Sequence, residues 1–280
     1  LNANCQTLLE SMQNGGDGYC GIMCNYNPRL YAWLAANYEK EREKAGLDMS
    51  APLADRLRPK TIDDIIGQPH LLGEGKPLRN IIESGELPNM VFYGPPGVGK
   101  TTLASIIAKT TDRHLVKLNG TTAGTSDIKE VVAKLDTFIA PNGILLYLDE
   151  IQYFNKKQQQ TLLEYIENGA ITLIASTTEN PYFEVNGALI SRSSVFELKS
   201  LDKEDIKVLL KRAVYDKEKG MGSYHAEITE EALEFLADIS GGDARNALNA
   251  IELGILTTKR GDDGKIRITL EVASECIQKR

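Results

Sequence analysis

The feature that most constrains the fold of this chain is the octapeptide GPPGVGKT at residues 94–101. It follows a short apolar run and precedes a helix-forming stretch, which is the context that the motif G-x-x-x-x-G-K-[ST] requires. Its glycines let backbone N–H groups converge on phosphate oxygens, and the helix adds the positive end of its dipole. The strand and helix signals favour this interpretation over a plain glycine turn.

The residues of this loop predict a site for ATP and Mg²⁺. We expect Lys100 to reach the β- and γ-phosphates and the Thr101 hydroxyl to bind Mg²⁺. The predicted ATP-binding residues of the loop are Gly94, Pro95, Pro96, Gly97, Val98, Gly99, Lys100, Thr101 and Thr102.

A second motif, ILLYLDE at 144–150, is an apolar run that ends in two carboxylates. Asp149 is predicted to hold Mg²⁺, and Glu150 to polarise a water towards the γ-phosphate. A solvated acidic turn is the alternative, and the phosphate motif upstream weighs against it. The strand-and-helix unit at 114–138 between the motifs, together with the adjacent glutamate, favours a hydrolase over a small-molecule kinase or a GTPase switch.

Three single residues give weaker signals. Thr177 ends the apolar run of LIASTTENP, where it can hydrogen-bond a water or the γ-phosphate. Arg245 lies in the first turn of a predicted helix, where a cation is unfavourable unless an anion is near; an exposed surface arginine is the alternative. Arg192 stands between a helix-like and a strand-like run, so it is either an ordinary surface charge or a residue that completes another subunit's site.

Alternation of strands and helices indicates a parallel sheet covered by helices. The predicted strands cover 90–93, 114–118, 144–148 and 171–176, and the helices between them cover about 100–109, 126–138 and 156–167. Beyond Leu198 the pattern is helical, at roughly 202–219, 229–239, 243–258 and 269–279. We therefore expect an α/β domain at 51–199, beginning with an extended linker at 51–61, and a small all-α lid domain at 200–280.

Composition excludes some classes of protein. The chain has 42% hydrophobic and 25% charged residues and lacks the apolar run of a membrane span, which is typical of a soluble globular protein. Its four cysteines form no disulfide framework, which favours an intracellular setting. Cys5, Cys20 and Cys24 lack a nearby fourth zinc ligand. The net charge of −7 argues against a uniformly basic surface but allows a local basic strip.

Three stretches resemble the AAA+ ATPases, and more narrowly the replication-associated recombination protein A family (RarA or MgsA), which is related to Werner-interacting ATPases and clamp loaders. The stretches lie within 52–108, 148–199 and 241–253, and TTENPYFEVNGALISR is the most specific. The match covers about 52–280. The resemblance implies a P-loop NTPase fold and hydrolysis of Mg-ATP coupled to work on DNA in fork maintenance and recombination.

The resemblance also implies roles for single residues. It suggests Thr177 as sensor 1, Arg192 as an arginine finger acting on a neighbour and Arg245 as sensor 2. The adenine pocket is expected at Ile65, Ile66 and Gly67, with Arg58 and Pro59 nearby, and Asn119 is expected to be a polar partner of Glu150. Gln152 stands where the family usually shows His, and Lys156 and Lys157 begin the next helix, where they either face DNA or are simply solvated.

The implied partners are DNA forks, single-strand ends or junctions, a sliding clamp or single-strand-binding protein, and further copies of the chain, in the cytoplasm near the nucleoid and without a membrane. Two alternatives stay open: a clamp-loader-like subunit acting on a protein, and a nucleotide-binding fragment without turnover. Family members continue beyond residue 280 into a C-terminal domain for assembly, which we expect to be absent. Residues 1–50 are atypical; residues 15–34 faintly resemble dihydrodipicolinate synthases, but fifty residues cannot close a (β/α)₈ barrel.

Overall fold

A computed structural model describes residues 51–133 and 143–278. Residue 278 is described by its backbone only. The atypical N-terminal segment and its three cysteines lie outside the described residues. The chain divides into two compact units, 1–56 and 57–280. In the described part of the first unit, helix α1 (Leu53–Arg56) lies within the stretch predicted as an extended linker. Pro52 restricts only the residue before it, and its carbonyl accepts the N–H groups of Asp55 and Arg56.

The first part of the second unit alternates between strands and helices, as the sequence predicts. Its elements are α2 Pro69–Leu72, α3 Pro77–Ser84, β1 Asn89–Tyr93, α4 Lys100–Thr110, β2 His114–Asn119, α5 Thr125–Ala133, β3 Ile144–Asp149, α6 Lys156–Glu167, β4 Ile171–Thr177, α7 Pro181–Glu184, α8 Gly187–Ile190 and β5 Ser193–Glu197. Short 3₁₀ turns at Ile62–Asp64 and Ile151–Tyr153 precede α2 and α6. The end of the helix predicted at 126–138 lies outside the described residues.

Among the described residues, β1 to β5 form one parallel sheet in the order β2-β3-β4-β1-β5. Parallel pairing brings the carboxyl ends of all five strands to the same edge. The register places Tyr93 beside Thr177, and Asn119 beside Asp149. The predicted α/β fold, with a parallel sheet between helices, is therefore confirmed.

Helices cover both faces of this sheet, and successive side chains of β3 point into two different cores. Leu146 and Leu148 face a core built with α5 and α6, whereas Leu145 and Tyr147 face a core built with α3 and α4. Each of these four residues is at most 1% exposed. Burial on both faces explains why β3 reads as a continuous apolar run. It also places Tyr147 on the same side of the sheet as the helix that follows the phosphate motif.

The rest of the second unit is mostly helical. Its elements are α9 Lys203–Tyr215, β6 Ala226–Ile228, α10 Glu230–Ile239, α11 Ala244–Thr257, β7 Ile266–Ile268 and α12 Leu270–Gln278, with a 3₁₀ turn at Gly222–Tyr224. Strands β6 and β7 pair in parallel. The prediction of an all-α lid did not include them, because a strand of three residues shows too little alternation of apolar and polar residues to be recognised. None of the helices in the described ranges is long and apolar enough to span a bilayer.

The segment before α2 is joined to the end of the sheet by side-chain hydrogen bonds to backbone. The amide of Gln68 donates to the carbonyl of Lys199 at 2.8 Å and accepts from its N–H at 3.1 Å. His70 contacts the carbonyl of Glu197 through Nε2 at 2.9 Å. Gln68 is 2% exposed, so both of these bonds are shielded from water. The segment around residues 65–70 is therefore held at the junction between the sheet and α9.

Candidate nucleotide site

The loop between β1 and α4 lies at the carboxyl edge of the sheet. Gly94 begins it with a φ of 146°, and a Cβ at this position would overlap with the carbonyl oxygen of Leu198. Leu198 itself donates its N–H to the carbonyl of Tyr93 at 2.8 Å. Both the backbone angle and the space therefore require glycine at the first position of the motif. The loop then passes directly into the first turn of α4 at Lys100.

The ammonium group of Lys100 is turned towards this loop. It donates to the carbonyl of Gly94 at 2.6 Å and to the carbonyl of Pro95 at 2.8 Å. Lys100 is 8% exposed, and burial lowers the pKa of its ammonium, while Glu150 and Asp149 act in the opposite direction. An ammonium that donates to carbonyl oxygens is well suited to exchange them for phosphate oxygens, because a charged acceptor makes a stronger hydrogen bond.

The acidic end of β3 meets the first turn of α4 through a set of hydroxyl groups. The Tyr147 hydroxyl lies 3.0 Å from Oγ1 of Thr101, 2.9 Å from Oγ of Ser176 and 3.1 Å from Oδ1 of Asp149. Ser176 also donates to the same carboxylate oxygen of Asp149. The two predicted Mg²⁺ ligands, Thr101 and Asp149, therefore belong to one hydrogen-bonded cluster.

Sequence reasoning missed two members of this cluster, Tyr147 and Ser176. Both are buried, at 1% and 0% exposure. The available signal was a phenol two residues before Asp149 in a strand that is otherwise aliphatic. Because side chains alternate along a strand, this spacing puts the phenol on the same face as the carboxylate.

Glu150 follows with an unusual backbone and a partner that the sequence did not predict. Its φ of 55° takes the chain out of the strand, and the amide Nε2 of Gln152 donates to its carboxylate at 2.5 Å. The side-chain oxygen Oδ1 of Asn119 is used within its own turn, where it accepts from the N–H and the hydroxyl of Thr121. Asn119, the expected partner, ends its strand beside Asp149.

Thr177 and the start of α11 lie against the phosphate loop from two sides. The carbonyl of Thr177 accepts the N–H of Gly94 at 3.3 Å, and its buried hydroxyl accepts the N–H of Glu179 at 3.1 Å. Asp243 caps α11 by accepting the N–H of Arg245 at 2.8 Å. A Cβ at Gly97 would overlap with the Asp243 carboxylate, so the loop and the helix start are in contact. Arg245 is exposed in the first turn of α11, two residues after Asp243.

The residues expected to form the adenine pocket lie at the junction described above. Ile65, Ile66 and Gly67 are half-buried, and Ile65 packs against the core on the α4 side of the sheet. A Cβ at Gly67 would overlap with the side chain of Leu201 and contact that of Asp205. Asp205 lies in the first turn of α9, and burial raises the pKa of its carboxyl.

Comparisons with known proteins agree with this geometry. Residues 90–201 match the family model for the ATPase family associated with various cellular activities (AAA), and residues 222–280 match the AAA C-terminal domain. The chain belongs to the AAA ATPases. This membership confirms the resemblance inferred from the motifs, and the two matches cover the sheet from β1 onwards and most of the helical part.

Relatives of this AAA ATPase include the replication-associated recombination protein A of Bacillus subtilis, 45% identical over 229 residues, and that of Escherichia coli, 41% identical over 230 residues. Each match covers 82% of this chain and, respectively, 54% and 52% of the relative, so the chain spans about half the length of these relatives. The RuvB Holliday junction branch migration motor of Thermotoga maritima is similar in structure, with a TM-score of 0.62 and 26% identity over 80% of this chain and 73% of that chain.

The residues of this AAA ATPase fit a nucleotide that carries its own Mg²⁺. The cluster offers a hydroxyl and a carboxylate, both oxygen donors, which suit a hard cation. No group of three or more His, Cys, Asp or Glu residues poised to hold a metal occurs among the described residues. Two oxygen donors beside a phosphate loop fit the way Mg²⁺ is usually bound in proteins, with phosphates and water completing its shell.

Arg192 lies at the opposite edge of the sheet from the phosphate loop. It precedes Ser193, which pairs with Asn89 at the amino end of β1, and β5 spans about 16 Å from there to the carboxyl edge. Its guanidinium pairs with Glu167 at 2.7 Å and donates to the carbonyl of Ala188 at 3.1 Å. The side chain of Arg192 is 45% exposed, so the ion pair is accessible to solvent. Arg192 therefore does not reach the phosphate loop of its own chain.

The contact at Gly94 leads to a stability prediction. We expect Gly94→Ala to lower the free energy of unfolding by about 3–5 kcal/mol, because it combines backbone strain with overlap against the Leu198 carbonyl. Gly99→Ala is the matched control, since Gly99 also has a positive φ, 97°, but a Cβ there meets nothing within 4 Å. Strain alone is expected to cost this control about 1–2 kcal/mol.

Urea unfolding of both variants, without nucleotide, measures the difference. If the two substitutions lower the free energy of unfolding equally, overlap with the Leu198 carbonyl does not contribute to the effect of Gly94→Ala.

Proposed function

We propose that this chain binds and hydrolyses Mg-ATP and uses the reaction to act on DNA in replication-fork maintenance and recombination, in the cytoplasm at the nucleoid. The observation that carries the proposal is the convergence of Lys100, Thr101, Asp149 and Glu150 at one edge of the sheet, within an AAA ATPase. Its relatives named for replication-associated recombination support the biological setting.

Each predicted residue has a task in this reaction. The loop from Gly94 to Thr102 binds the phosphates through its N–H groups, and the Lys100 ammonium leaves the Gly94 and Pro95 carbonyls for the β- and γ-phosphates. The adenine ring occupies the pocket made by Ile65, Ile66 and Gly67. Thr177 and Arg245 contact the γ-phosphate from β4 and from α11.

Thr101 and Asp149 would hold Mg²⁺, which would neutralise negative charge on the phosphates of ATP. Glu150 accepts a hydrogen bond from the attacking water and orients it towards the γ-phosphate, acting as the general base. The Gln152 amide donates to one oxygen of this carboxylate, so the carboxylate keeps acceptor sites for the water.

Glu150→Gln is expected to keep ATP binding and lose hydrolysis by at least about 100-fold, since an amide of the same size cannot accept the proton of the water. Binding is measured by calorimetry with Mg-ATP and hydrolysis by phosphate release. Glu164→Gln, an exposed charge on α6, is the control and should leave both unchanged. Wild-type turnover by Glu150→Gln would contradict the assignment of the base.

Arg192 is proposed to act in trans on the nucleotide of a neighbouring copy. Three facts support it: the guanidinium lies at the amino edge of the sheet, it is half-exposed, and its Glu167 partner is also half-exposed. An exposed ion pair of this kind contributes little free energy, so a γ-phosphate is able to replace Glu167. An arginine finger contributes a factor of about 10³–10⁵ to turnover.

Mixing two inactive variants tests this proposal. Arg192→Ala has an intact site but no finger, whereas Glu150→Gln supplies a finger beside a dead site. Each variant alone should be inactive. The mixture should regain ATP turnover in proportion to the number of contacts between an Arg192→Ala chain and a Glu150→Gln chain, and turnover is measured across a range of protein concentration. Glu167→Gln is the control for the ion pair and should retain activity. A mixture as inactive as its components would exclude action in trans.

A local strip after Glu150 suits a nucleic-acid strand. Tyr153 is 60% exposed, and Lys156 and Lys157 are exposed in the first turn of α6. Aromatic rings that stack on bases, together with lysines that neutralise phosphates, are the components of non-specific single-strand sites. The strip adjoins Glu150, so DNA bound there is close enough to affect the Gln152 contact.

The double variant Lys156→Ala/Lys157→Ala should therefore bind DNA more weakly, with the slope of log affinity against log salt reduced by about 1.5. Fluorescence anisotropy with a fork, a single-strand end and a four-way junction measures this. The pair Lys211→Ala/Arg212→Ala, exposed on α9, is the charge-matched control.

If the double variant leaves the dependence of DNA affinity on salt unchanged, Lys156 and Lys157 do not belong to the DNA-binding site. Stimulation of ATP hydrolysis by a sliding clamp or single-strand-binding protein, with none by any DNA, would favour the clamp-loader-like alternative instead. ATP binding without turnover at any protein concentration, with or without DNA, would favour the fragment without activity.

A further inference from the structure

The hydroxyl cluster beside the acidic strand end contains two residues to which the proposed reaction gives no task. Tyr147 and Ser176 lie between Thr101 and Asp149: Tyr147 is hydrogen-bonded to both of them, and Ser176 to Tyr147 and Asp149. Both are almost completely buried. A phenylalanine and an alanine would fill the same space without any polar group to satisfy, so the hydroxyls need a reason other than packing.

The protons of this cluster can be assigned from its acceptors. The Asp149 carboxylate only accepts, so Ser176 donates to it. Tyr147 has one proton, and the Asp149 carboxylate and the serine bonded to it are stronger acceptors than the neutral Thr101 hydroxyl, so this proton goes to Ser176 or Asp149. The oxygen of Tyr147 then has a lone pair left for Thr101, at 3.0 Å. Thr101 therefore donates to Tyr147, and the chain of hydrogen bonds ends on the carboxylate.

This direction matters for the face that Thr101 offers to the site. With its proton committed to Tyr147, the Thr101 hydroxyl has its lone pairs turned away from the phenol. A hydroxyl that binds a cation must do so through such lone pairs while its proton is accepted elsewhere. Hydrogen bonds to the outer side of a ligand fix its orientation and raise its affinity for the metal. Ser176 does the same for Asp149.

We propose that Tyr147 is a positioning residue for the metal side of the site: by accepting a hydrogen bond from Thr101 and linking it, through Ser176, to Asp149, it orients both predicted Mg²⁺ ligands before Mg-ATP arrives. The proposal rests on the proposed function, because it concerns the Mg²⁺ that accompanies ATP. Tyr147 itself touches neither ATP nor the metal. Its effect is confined to the requirement for Mg²⁺, and the phosphate loop and Lys100 bind ATP independently of it.

Tyr147→Phe and Ser176→Ala test the proposal, since each removes one hydroxyl and keeps the rest of the side chain. ATP binding is measured by calorimetry at increasing Mg²⁺ and again in EDTA. The concentration of Mg²⁺ at half-effect should rise about tenfold for Tyr147→Phe and about threefold for Ser176→Ala, from the loss of hydrogen bonds to the ligands. ATP affinity in EDTA should equal that of the wild type, and excess Mg²⁺ should restore wild-type affinity in both variants.

Tyr165→Phe is the matched control, because Tyr165 is a half-buried phenol that packs against the other face of the sheet. It should not change the Mg²⁺ requirement. Thermal melting without nucleotide establishes that each variant folds, and Ser176→Ala retains the test if Tyr147→Phe does not.

Two outcomes overturn the proposal. One is a Mg²⁺ requirement unchanged in both folded variants. The other is an affinity loss equal in EDTA and in Mg²⁺, which indicates damage to the loop rather than to the ligands. A wild-type chain that binds ATP in neither condition overturns the proposed function as well, so the two failures are distinct.

Discussion

Parallel pairing of β1 with β4 and β5, and of β3 with β2 and β4, is the constraint on which the site depends. It forces the carboxyl ends of these strands to one edge, where Gly94 is bonded to Thr177 and where Asp149 ends β3. The three central strands, β1, β3 and β4, are buried by helices on both faces, so their positions are determined by the core and not by the loops. Residues that are far apart in sequence can therefore be held within hydrogen-bonding distance at this edge.

The same pairing separates Arg192 from the phosphate loop. An arginine that precedes β5 must lie at the amino edge, one strand length from that loop. If Arg192 acts on a neighbouring copy, as proposed, this separation is the reason that the finger of one chain cannot serve its own site. The ion pair with Glu167 is half-exposed and therefore contributes little free energy, so it would oppose that role only weakly.

The junction between the sheet and α9 brings the remaining parts of the site together. Gln68 is bonded to the backbone of Lys199, and Gly67 lies against Leu201, so the expected adenine pocket is tied to the point where the helical part begins. Asp243 then lies against Gly97 at the start of α11. Contacts of this kind depend on tight approach of two elements, and a nucleotide bound between them would contact both.

Much of the fold was predictable because its signals are local. Buried strands read as apolar runs, and the 144–150 and 94–101 motifs carry their structural context with them. The two short strands β6 and β7 were missed, since each is defined by its partner more than by its own residues. The prediction that Asn119 is the polar partner of Glu150 was also wrong. The amide of Gln152, two residues away, donates to the Glu150 carboxylate, whereas the side-chain oxygen of Asn119 accepts a hydrogen bond within its own turn.

The sequence by itself determined the alternation of strands and helices, the phosphate loop and the carboxylates that face it, because each depends on residues that are neighbours in the chain. The tertiary structure decided which side chains surround them. Tyr147 reads as one more apolar residue of β3 until the sheet places it between α4 and β4, where its hydroxyl meets Thr101 and Ser176. Hydrogen bonds between separate elements are set by packing geometry, which no local pattern encodes.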